Sequence, residues 1–587
     1  MIATIGLASC GIAAGADELQ KALHKKGIKT KRVGCIGICY LEPIVEFKKD
    51  NYETIIFCGV KTRDLPEILK AIKSGKSHRK ILAKRKDGKS WYPKVKYIED
   101  ICFYKKQQKI LSHRCGIIDP ADVNEYVKSG GYEGLKKALT MKKDEVINEV
   151  EKSGLRGRGG AGFSTGKKWS FVKNAKERPF MICNADEGDP GAFMNRILLE
   201  SDPLSVIEGL TIAGYAINAR QGIIYIRSEY PLAVVRLTEA IKNATKKGYL
   251  GNNILNSGFS FDIEIKLGAG AFVCGEETAL IASLEGKTGR PYPRPPYPTD
   301  KGLLGKPTVI NNVETLACVS LILAKGAEYF RKFGTENSTG TKIFSLSGAL
   351  KKTGYIEVPF GIKLKEVLEI ADVKEEDFKV MHLGGPAGSC LPKELFDLQL
   401  DYDNLKSVNV TLGSGSMIIL NKDQDMVEFA KNMLAFSVSE SCGKCVPCRE
   451  GTKRMLEIVE KILKNEGKPE DLVTLEHIAY TVKDTSLCGL GQSAPNPLLS
   501  ILKYFKAEYI DKLQGALSIA NELAMYDIDE VKCTGCDKCS ELCPMKAIRG
   551  KKFEVHQIDE SRCIKCGRCF KICPVNAVNL VKMEKAI

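Results

Sequence analysis

Cys533-Thr534-Gly535-Cys536-Asp537-Lys538-Cys539-Ser540-Glu541-Leu542-Cys543-Pro544 recurs in outline thirty residues later as Cys563, Cys566, Cys569 and Cys573-Pro574. Each copy sets three cysteines two residues apart and a fourth, followed by proline, three residues further on. Two-residue gaps let one tight loop wrap three thiolates around a face of an iron–sulfur cubane. In tandem copies the fourth thiolate belongs to the other cluster. The spacing therefore predicts that Cys573 joins Cys533, Cys536 and Cys539, and that Cys543 joins Cys563, Cys566 and Cys569. Two zinc ions are the alternative, but zinc takes paired C-x2-C units and needs no crossed ligand. Two [4Fe–4S] clusters in a small domain at 523–587 read as a wire for single electrons, with no catalytic role of its own.

Upstream, Cys442, Cys445 and Cys448 repeat the two-residue gaps, and Cys488 is the only cysteine between Cys448 and Cys533. A third cubane is expected here, within a helical region at 428–522, with zinc again the alternative. Lys444 and Arg449 are placed to offset its negative charge.

The composition agrees with metal ligation. The chain has 587 residues, 22 cysteines and 6 histidines; it is 44% hydrophobic and 27% charged, with 88 basic and 72 acidic residues and a net charge of +16. At roughly 100–200 residues per domain this makes about four or five units. The basic surplus is spread out, with no Lys/Arg block interleaved with aromatics, so nucleic-acid binding is not expected. Clustered cysteines in a long chain read as ligands in a reducing compartment, the cytoplasm, and not as disulfides. Leu7-Ala8-Ser9-Cys10 mimics a lipoprotein cleavage box but lacks a basic segment and sufficient length before it. No apolar run reaches the ~18 residues of a membrane span; Leu316 to Ala324 is typical of the longest.

Residues 1–85 alternate short apolar runs (Ile2 to Leu7, Ile44 to Phe47, Thr54 to Phe57) with a helical stretch at Asp17 to Lys26, which predicts a small α/β domain. Residues 86–110 are charged and linker-like. The stretch at 110–344 is glycine-rich, with predicted strands at Phe180 to Cys183, Gly222 to Ile226, Phe261 to Leu267 and Thr308 to Ile310. Residues 345–427 predict a small β-rich domain with one helix at Leu364 to Ile370.

Gly154-Leu155-Arg156-Gly157-Arg158-Gly159-Gly160-Ala161-Gly162-Phe163 contains G-x-G-x-x-G, a weak signal alone, and it follows a predicted helix (Glu145 to Lys152) where a standard dinucleotide turn follows a strand. Its backbone N–H groups, with Arg158, Lys167 and Lys168, nevertheless suit phosphate. Asn184-Ala185-Asp186-Glu187-Gly188-Asp189, Cys274-Gly275-Glu276-Glu277-Thr278 and Asn311-Asn312 place polar groups at strand ends, where they hold ribose or ribityl hydroxyls or, equally, cap helices.

Together, Gly154 to Trp169, Cys183 to Arg196, Gly268 to Gly286, Pro307 to Thr315 and Ser441 to Met455 resemble the flavin-bearing NADH-oxidising subunit of respiratory complex I (the 51 kDa-like family). The resemblance runs from about residue 110 to 500. The flanks resemble a thioredoxin-like ferredoxin domain and a two-cluster bacterial ferredoxin. That combination is similar to the beta subunit of electron-bifurcating NAD-dependent [FeFe]-hydrogenase and formate dehydrogenase complexes.

The implied fold is a multidomain α/β chain. It comprises a thioredoxin-like domain (1–85), a Rossmann-like FMN/NADH domain (110–344), a β-grasp domain (345–427), a helical-bundle [4Fe–4S] domain (428–522) and the ferredoxin domain. The resemblance implies that Gly157, Arg158, Gly159 and Lys168 cradle FMN; that Asn184, Asp186, Glu187, Gly188, Gly275 and Glu276 hold its ribityl chain and ring; and that Asn311 and Asn312 close the pocket. Phe163 and Phe171 would stack on the NADH adenine, with Asp189, Glu277, Arg294 and Tyr297 placing the nucleotide. Glu187 and Glu277 are the side chains expected nearest the hydride chemistry, which the flavin itself supplies. NAD is preferred to NADP, because glutamates disfavour a 2′-phosphate.

Implied partners are a small [2Fe–2S] thioredoxin-like subunit, a catalytic hydrogenase, formate dehydrogenase or other oxidoreductase subunit, and soluble ferredoxin. Rival readings are a non-bifurcating NADH dehydrogenase (diaphorase) subunit and a flavin-free electron-transfer scaffold. Two departures stand out in the flavin region: Ser164 where the family has proline, and Phe272 where complex I has tyrosine. At the N-terminus, Cys10, Cys35 and Cys39 match three ligands of a [2Fe–2S] site, but Ile5 stands where the fourth is expected. The cluster is expected to be lost, with the domain kept for docking. Cys58, Cys102, Cys115, Cys183, Cys274, Cys318 and Cys390 read as small buried residues, and His556 as a surface histidine.

Overall fold

A computed structural model describes residues 1–513, 524–564 and 567–582. The expected junction at 522–523 and Cys566 lie outside them. The chain divides into two compact units, Met1–Asp423 and Gln424–Ile587.

The first unit carries three sheets. At the N-terminus, β1 (Ile2–Gly6), β2 (Lys29–Val33), β3 (Val45–Lys48), β4 (Ile55–Phe57) and β5 (Ile81–Lys84) form a sheet of order β2-β1-β3-β4-β5, in which only β1 and β2 run parallel. The helix Ala16–Lys25 buries Leu19 and Leu23 one turn apart against this sheet, a helical period that matches its apolar stripe. Residues 86–110 are not a linker. Tyr92 is buried in the N-terminal core, and Ile98 and Phe103 enter a core shared with residues 344–419. The charged letters hide three apolar anchors at irregular spacing, which no periodicity reports.

The central sheet is wholly parallel. Strands β6 (Phe180–Ala185), β7 (Gln221–Ile226), β8 (Asp262–Leu267) and β9 (Thr308–Asn312) stand in the order β8-β7-β6-β9. Chain order runs outward from β6 to β8 and then returns to β9 on the other side of β6, so the topological switch lies between β6 and β9. After the exposed Gln221, strand β7 is a continuous run, Gly222 to Ile226, buried on both faces, as parallel strands covered by helices require. The covering helices Pro203–Ala216 and Val313–Lys325 approach closely at Gly209, where a Cβ would meet the Leu316 carbonyl at 1.9 Å.

The third sheet joins β10 (Thr341–Gly348), β11 (Gly354–Pro359), β12 (Phe378–Leu383), β13 (Ser389–Pro392) and β14 (Ser416–Asn421) in the order β11-β10-β14-β12-β13, with β10 and β14 parallel at its centre. Buried Glu357 on β11 accepts N–H groups from Ile110, Leu111 and Ser112 and hydroxyls from Ser112 and Thr341, tying the entry to the central unit onto this sheet.

The second unit begins with helices at Met426–Ser439, Val446–Leu463 and Pro469–Thr485. It ends in the tandem repeat, where β15 (Ala524–Ile528) pairs antiparallel with β18 (Val578–Lys582) and β16 (Ile548–Arg549) with β17 (Gln557–Ile558).

Candidate functional site

The carboxyl ends of β6 and β9 flank the switch point, where open α/β sheets bind ligands. Near the end of strand β6 stands Asn184, whose amide donates to the Gly275 carbonyl at 2.8 Å and whose Oδ1 accepts the Asp186 N–H at 3.1 Å. Strand β9 ends on Asn311 and Asn312. Asn311 Oδ1 accepts from the Trp169 indole at 2.8 Å, and Asn312 Oδ1 accepts the Glu314 N–H, capping the helix that follows. The glycine loop reaches the same place: a Cβ on Gly159 would lie 3.3 Å from Asn312 Cβ, and one on Gly275 the same distance from the Asp186 carbonyl. Lys168 donates to the Ile310 carbonyl at 2.8 Å and pairs with Glu277. Four separate sequence motifs thus meet at one crevice.

The loop conformation is set by glycine. Gly160 and Gly162 have φ of +119° and +63°, and a Cβ on Gly162 would sit 2.7 Å from the Tyr402 ring. Gly157 N–H closes the loop on the Phe163 carbonyl at 2.8 Å. Among the described residues, the N–H groups of Gly159, Gly160 and Ala161 have no protein acceptor, and they lie at the accessible face. They are donors held ready for an anion.

Arg158 corrects the sequence reading. Its guanidinium is buried, donates to the Arg156 and Thr339 carbonyls at 2.9 and 2.7 Å, and lies 4.6 Å from the Phe360 ring centre. It braces the loop from inside and offers no cation to phosphate; the accessible cations are Lys167 and Lys168. The acidic residues serve as caps as well. Glu187 accepts the Asn195 and Arg196 N–H groups, and burial pushes its carboxyl above the ordinary range. Glu276 accepts from Thr278 and Ala279. Asp189, half-buried, accepts from the Ser414 hydroxyl, and burial raises it to about 6. Gly188 is wedged between Arg227 and Phe272, where a Cβ would meet them at 2.3 and 2.7 Å.

Phe163 and Phe171 are exposed side by side, ring centres 6.1 Å apart. Arg294 lies 5.9 Å from the ring centre of exposed Tyr297. Sequence reasoning missed Trp169, Thr315 (which accepts the Arg158 N–H), Tyr230, Tyr402 and Ser414. Trp169 adjoins the quoted loop and was findable. Tyr402 opens the helix Tyr402–Ser407 and Ser414 lies in the loop before β14, and no local pattern announces them.

In the second unit, Cys448 is buried, and burial raises its thiol to about 11; a Cβ on Gly491, in the helix that Cys488 caps, would lie 3.0 Å from Cys448 Cβ, which sets the start of that helix against it. Cys445 and Cys488 stand at helix N-caps. In the tandem repeat one cavity is lined by Cys533, Cys536, Cys539 and Cys573, and a second by Cys543, Cys563 and Cys569, so each fourth cysteine faces the other copy's loop. The copies match in detail: the Ala547 and Ala577 N–H groups donate to Cys543 and Cys573 sulfurs at 3.3 and 3.2 Å. His556 is not a surface residue. It is buried, lines the first cavity and bonds Asp537 at 2.7 Å. Its position between the copies, which reads as a loop, is folded under the first one.

At the N-terminus, the Cys10, Cys35 and Cys39 sulfurs all lie within 4.8 Å of one another. Cys35 and Cys39 sulfurs are 3.5 Å apart, and Glu42 Oε1 is 3.8 Å from Cys10 Sγ. Glu42 carries no signal in the sequence and was missed. Cys58, after β4, is half-buried, and burial raises its thiol.

Comparison with known proteins follows the same division. The Nuo51 FMN-binding domain family matches residues 150–321, the NADH-ubiquinone oxidoreductase-F iron-sulfur binding region 428–512, and the 4Fe-4S dicluster domain 532–577. The chain is 48% identical over 461 residues to NADP-reducing hydrogenase subunit HndC of Solidesulfovibrio fructosivorans, covering 77% of this chain and 94% of that protein. It is 45% identical over 388 residues to an NADH-quinone oxidoreductase subunit of Aquifex aeolicus, covering 66% and 90%. A chain of the NAD+-reducing [NiFe]-hydrogenase crystal structure in the H2-reduced state superposes with a TM-score of 0.63 at 28% identity, covering 87% of this chain and 84% of that one. No helix among the described residues is long and apolar enough to cross a membrane. With its switch-point crevice, its glycine loop and this extent of identity, the chain belongs to the Nuo51 family of NAD(P)H oxidoreductase subunits.

Proposed function

We propose that this chain is the nucleotide-handling subunit of a soluble, electron-bifurcating complex of hydrogenase or formate dehydrogenase type. It exchanges hydride between NAD(H) and FMN and passes single electrons through three [4Fe–4S] clusters toward soluble ferredoxin and a catalytic partner. The observation that carries this reading is the joining, in one chain, of an anion-ready crevice at β6 and β9 with three four-cysteine groups. When bound, FMN supplies the conversion of a two-electron hydride donor into single-electron steps. The donor set suits it: the Gly159, Gly160 and Ala161 N–H groups and Lys168 for the phosphate, and Asn184, Asp186, Glu276, Asn311 and Asn312 for hydroxyls and ring edge. Phe163 and Phe171 offer two exposed aromatic faces for the adenine of NADH.

The same reading divides the first unit into a thioredoxin-like domain, a Rossmann-like domain and a β-grasp domain. It takes the helical region and the tandem repeat as the cluster-bearing parts, and it places a small [2Fe–2S] subunit among the partners. The HndC relative is named as NADP-reducing; the glutamates beside the crevice favour NAD here. The test is anaerobic purification followed by flavin and iron analysis, then assay of NADH with ferredoxin and the terminal partner, singly and together. Bound FMN, bleaching by NADH, and ferredoxin reduction only when both partners are present are expected. Absence of flavin overturns the enzyme reading, and full ferredoxin turnover with NADH alone overturns bifurcation.

A further inference from the structure

Cys10 follows β1, while Cys35 and Cys39 flank the turn after β2; these segments are brought together only by the parallel pairing of β1 and β2. Beside them stands Glu42. Its Oε2 accepts the Ile44 N–H at 2.8 Å, which fixes the carboxylate and leaves Oε1 facing Cys10 Sγ at 3.8 Å. Among the described residues no cation pairs with Glu42. Gly11 makes room for it: a Cβ there would lie 2.1 Å from the Gly6 carbonyl and 3.3 Å from Glu42 Oε2.

We propose that Cys10, Cys35 and Cys39 hold one divalent metal ion of the zinc class through three thiolates, and that Glu42, whose carboxylate stands 3.8 Å from the Cys10 sulfur alone, turns onto the ion as the fourth ligand of a tetrahedral site. Two thiolates on one ion at about 2.3 Å lie roughly 3.8 Å apart in a tetrahedron and at most about 4.6 Å apart. The Cys35 and Cys39 sulfurs, 3.5 Å apart, already stand at that spacing, and the Cys10 sulfur lies within 4.8 Å of both. The tandem-repeat cysteines line cavities, and among the described residues no other three such ligands lie mutually within 4.8 Å. The site is also anchored. Cys35 N–H donates to the Ser201 hydroxyl at 3.1 Å, the Tyr355 hydroxyl donates to the Cys35 carbonyl at 3.1 Å, and Gly37 N–H donates to Cys35 sulfur at 3.2 Å. The half-buried Lys109 ammonium donates to the Ile36 carbonyl at 2.9 Å, one residue from Cys35. An ion here pins the N-terminal sheet to the central unit and carries no electrons, since zinc has no redox chemistry.

The test uses the full chain, purified anaerobically and dialysed against a mild chelator. Metal analysis is expected to find one zinc per chain, and zinc X-ray absorption three sulfurs and one light atom. Cobalt substitution should give the intense thiolate–cobalt bands of a tetrahedral site. Glu42→Ala should weaken zinc retention about a hundredfold while flavin and cubane iron stay unchanged, which separates this site from the proposed function. Glu42→Cys should restore retention with four sulfurs, so a folding defect cannot pass for ligand loss. Zinc bound equally by the parent, Glu42→Ala and Cys39→Ser, absence of zinc, or a [2Fe–2S] signal lost on Cys39→Ser would each overturn the assignment.

Discussion

The tandem repeat and the crevice at β6 and β9 build their sites in opposite ways. In the repeat, three cysteines within seven positions and a fourth from the other copy supply the ligands, and the two copies repeat each other down to the N–H bonds on Cys543 and Cys573. In the crevice, residues from 157 to 312 converge, and their geometry is fixed from outside by Tyr402, Ser414 and Thr315. A cluster site can be written as spacing, because thiolates need only reach a compact ion cage. A crevice for a large organic ligand must be shaped by a sheet, and its polar groups must be held by partners that are themselves fixed.

The largest effect tests the crossing. Cys573→Ala should remove the cluster of Cys533, Cys536 and Cys539, about a third of the iron of a three-cubane chain, while flavin is retained. Iron and sulfide analysis with EPR reads this, and loss from the Cys563 group instead would break the crossed arrangement. Next is the buried pair under the crevice. Lys342 donates to Glu314, both sealed from water, and Glu314 also accepts the Ile343 N–H at 2.8 Å. Lys342→Met leaves that carboxylate uncompensated and should destabilise the first unit by about 3–5 kcal/mol in denaturant unfolding, with cubane EPR unaltered. Loss of both signals together would show that the two regions are not independent.

The pH dependence is smaller. Folded Asp189 takes its proton at about 6 against an ordinary 3.8, so the folded chain holds an extra proton between those values. Stability therefore falls as pH rises through that window and is level above it. Asp189→Asn should gain on the parent by on the order of 2 kcal/mol between pH 4 and 7, solvent screening included, as read from thermal midpoints. The smallest change in stability is at the surface. Phe171→Leu should leave the fold within about 0.5 kcal/mol but raise the KM for NADH about two- to tenfold through lost stacking; an unchanged KM would remove Phe171 from the nucleotide site.

Much of this was legible beforehand. The strands at 180, 222, 261 and 308 and the helix before the glycine loop follow from apolar runs and periods, which report burial directly. Three readings failed for a common reason. The guanidinium of Arg158 and the ring of His556 are polar in letter and buried in fact, and the charged segment 86–110 is anchored by Tyr92, Ile98 and Phe103; all are held by partners remote in sequence. Burial of a charged side chain depends on those partners, and single-sequence patterns carry no record of them.

By itself the sequence determined the thiolate spacings of the second unit, the glycines that free the loop at 157–162, and the alternation of strands and helices that makes a parallel sheet. Only the tertiary structure decided that β9 returns beside β6 to open the crevice, that Arg158 turns inward, and that Glu42 comes to stand beside Cys10. Spacing encodes what neighbours along the chain do together, whereas contacts across a sheet arise from the packing of whole elements, which the chain specifies only collectively.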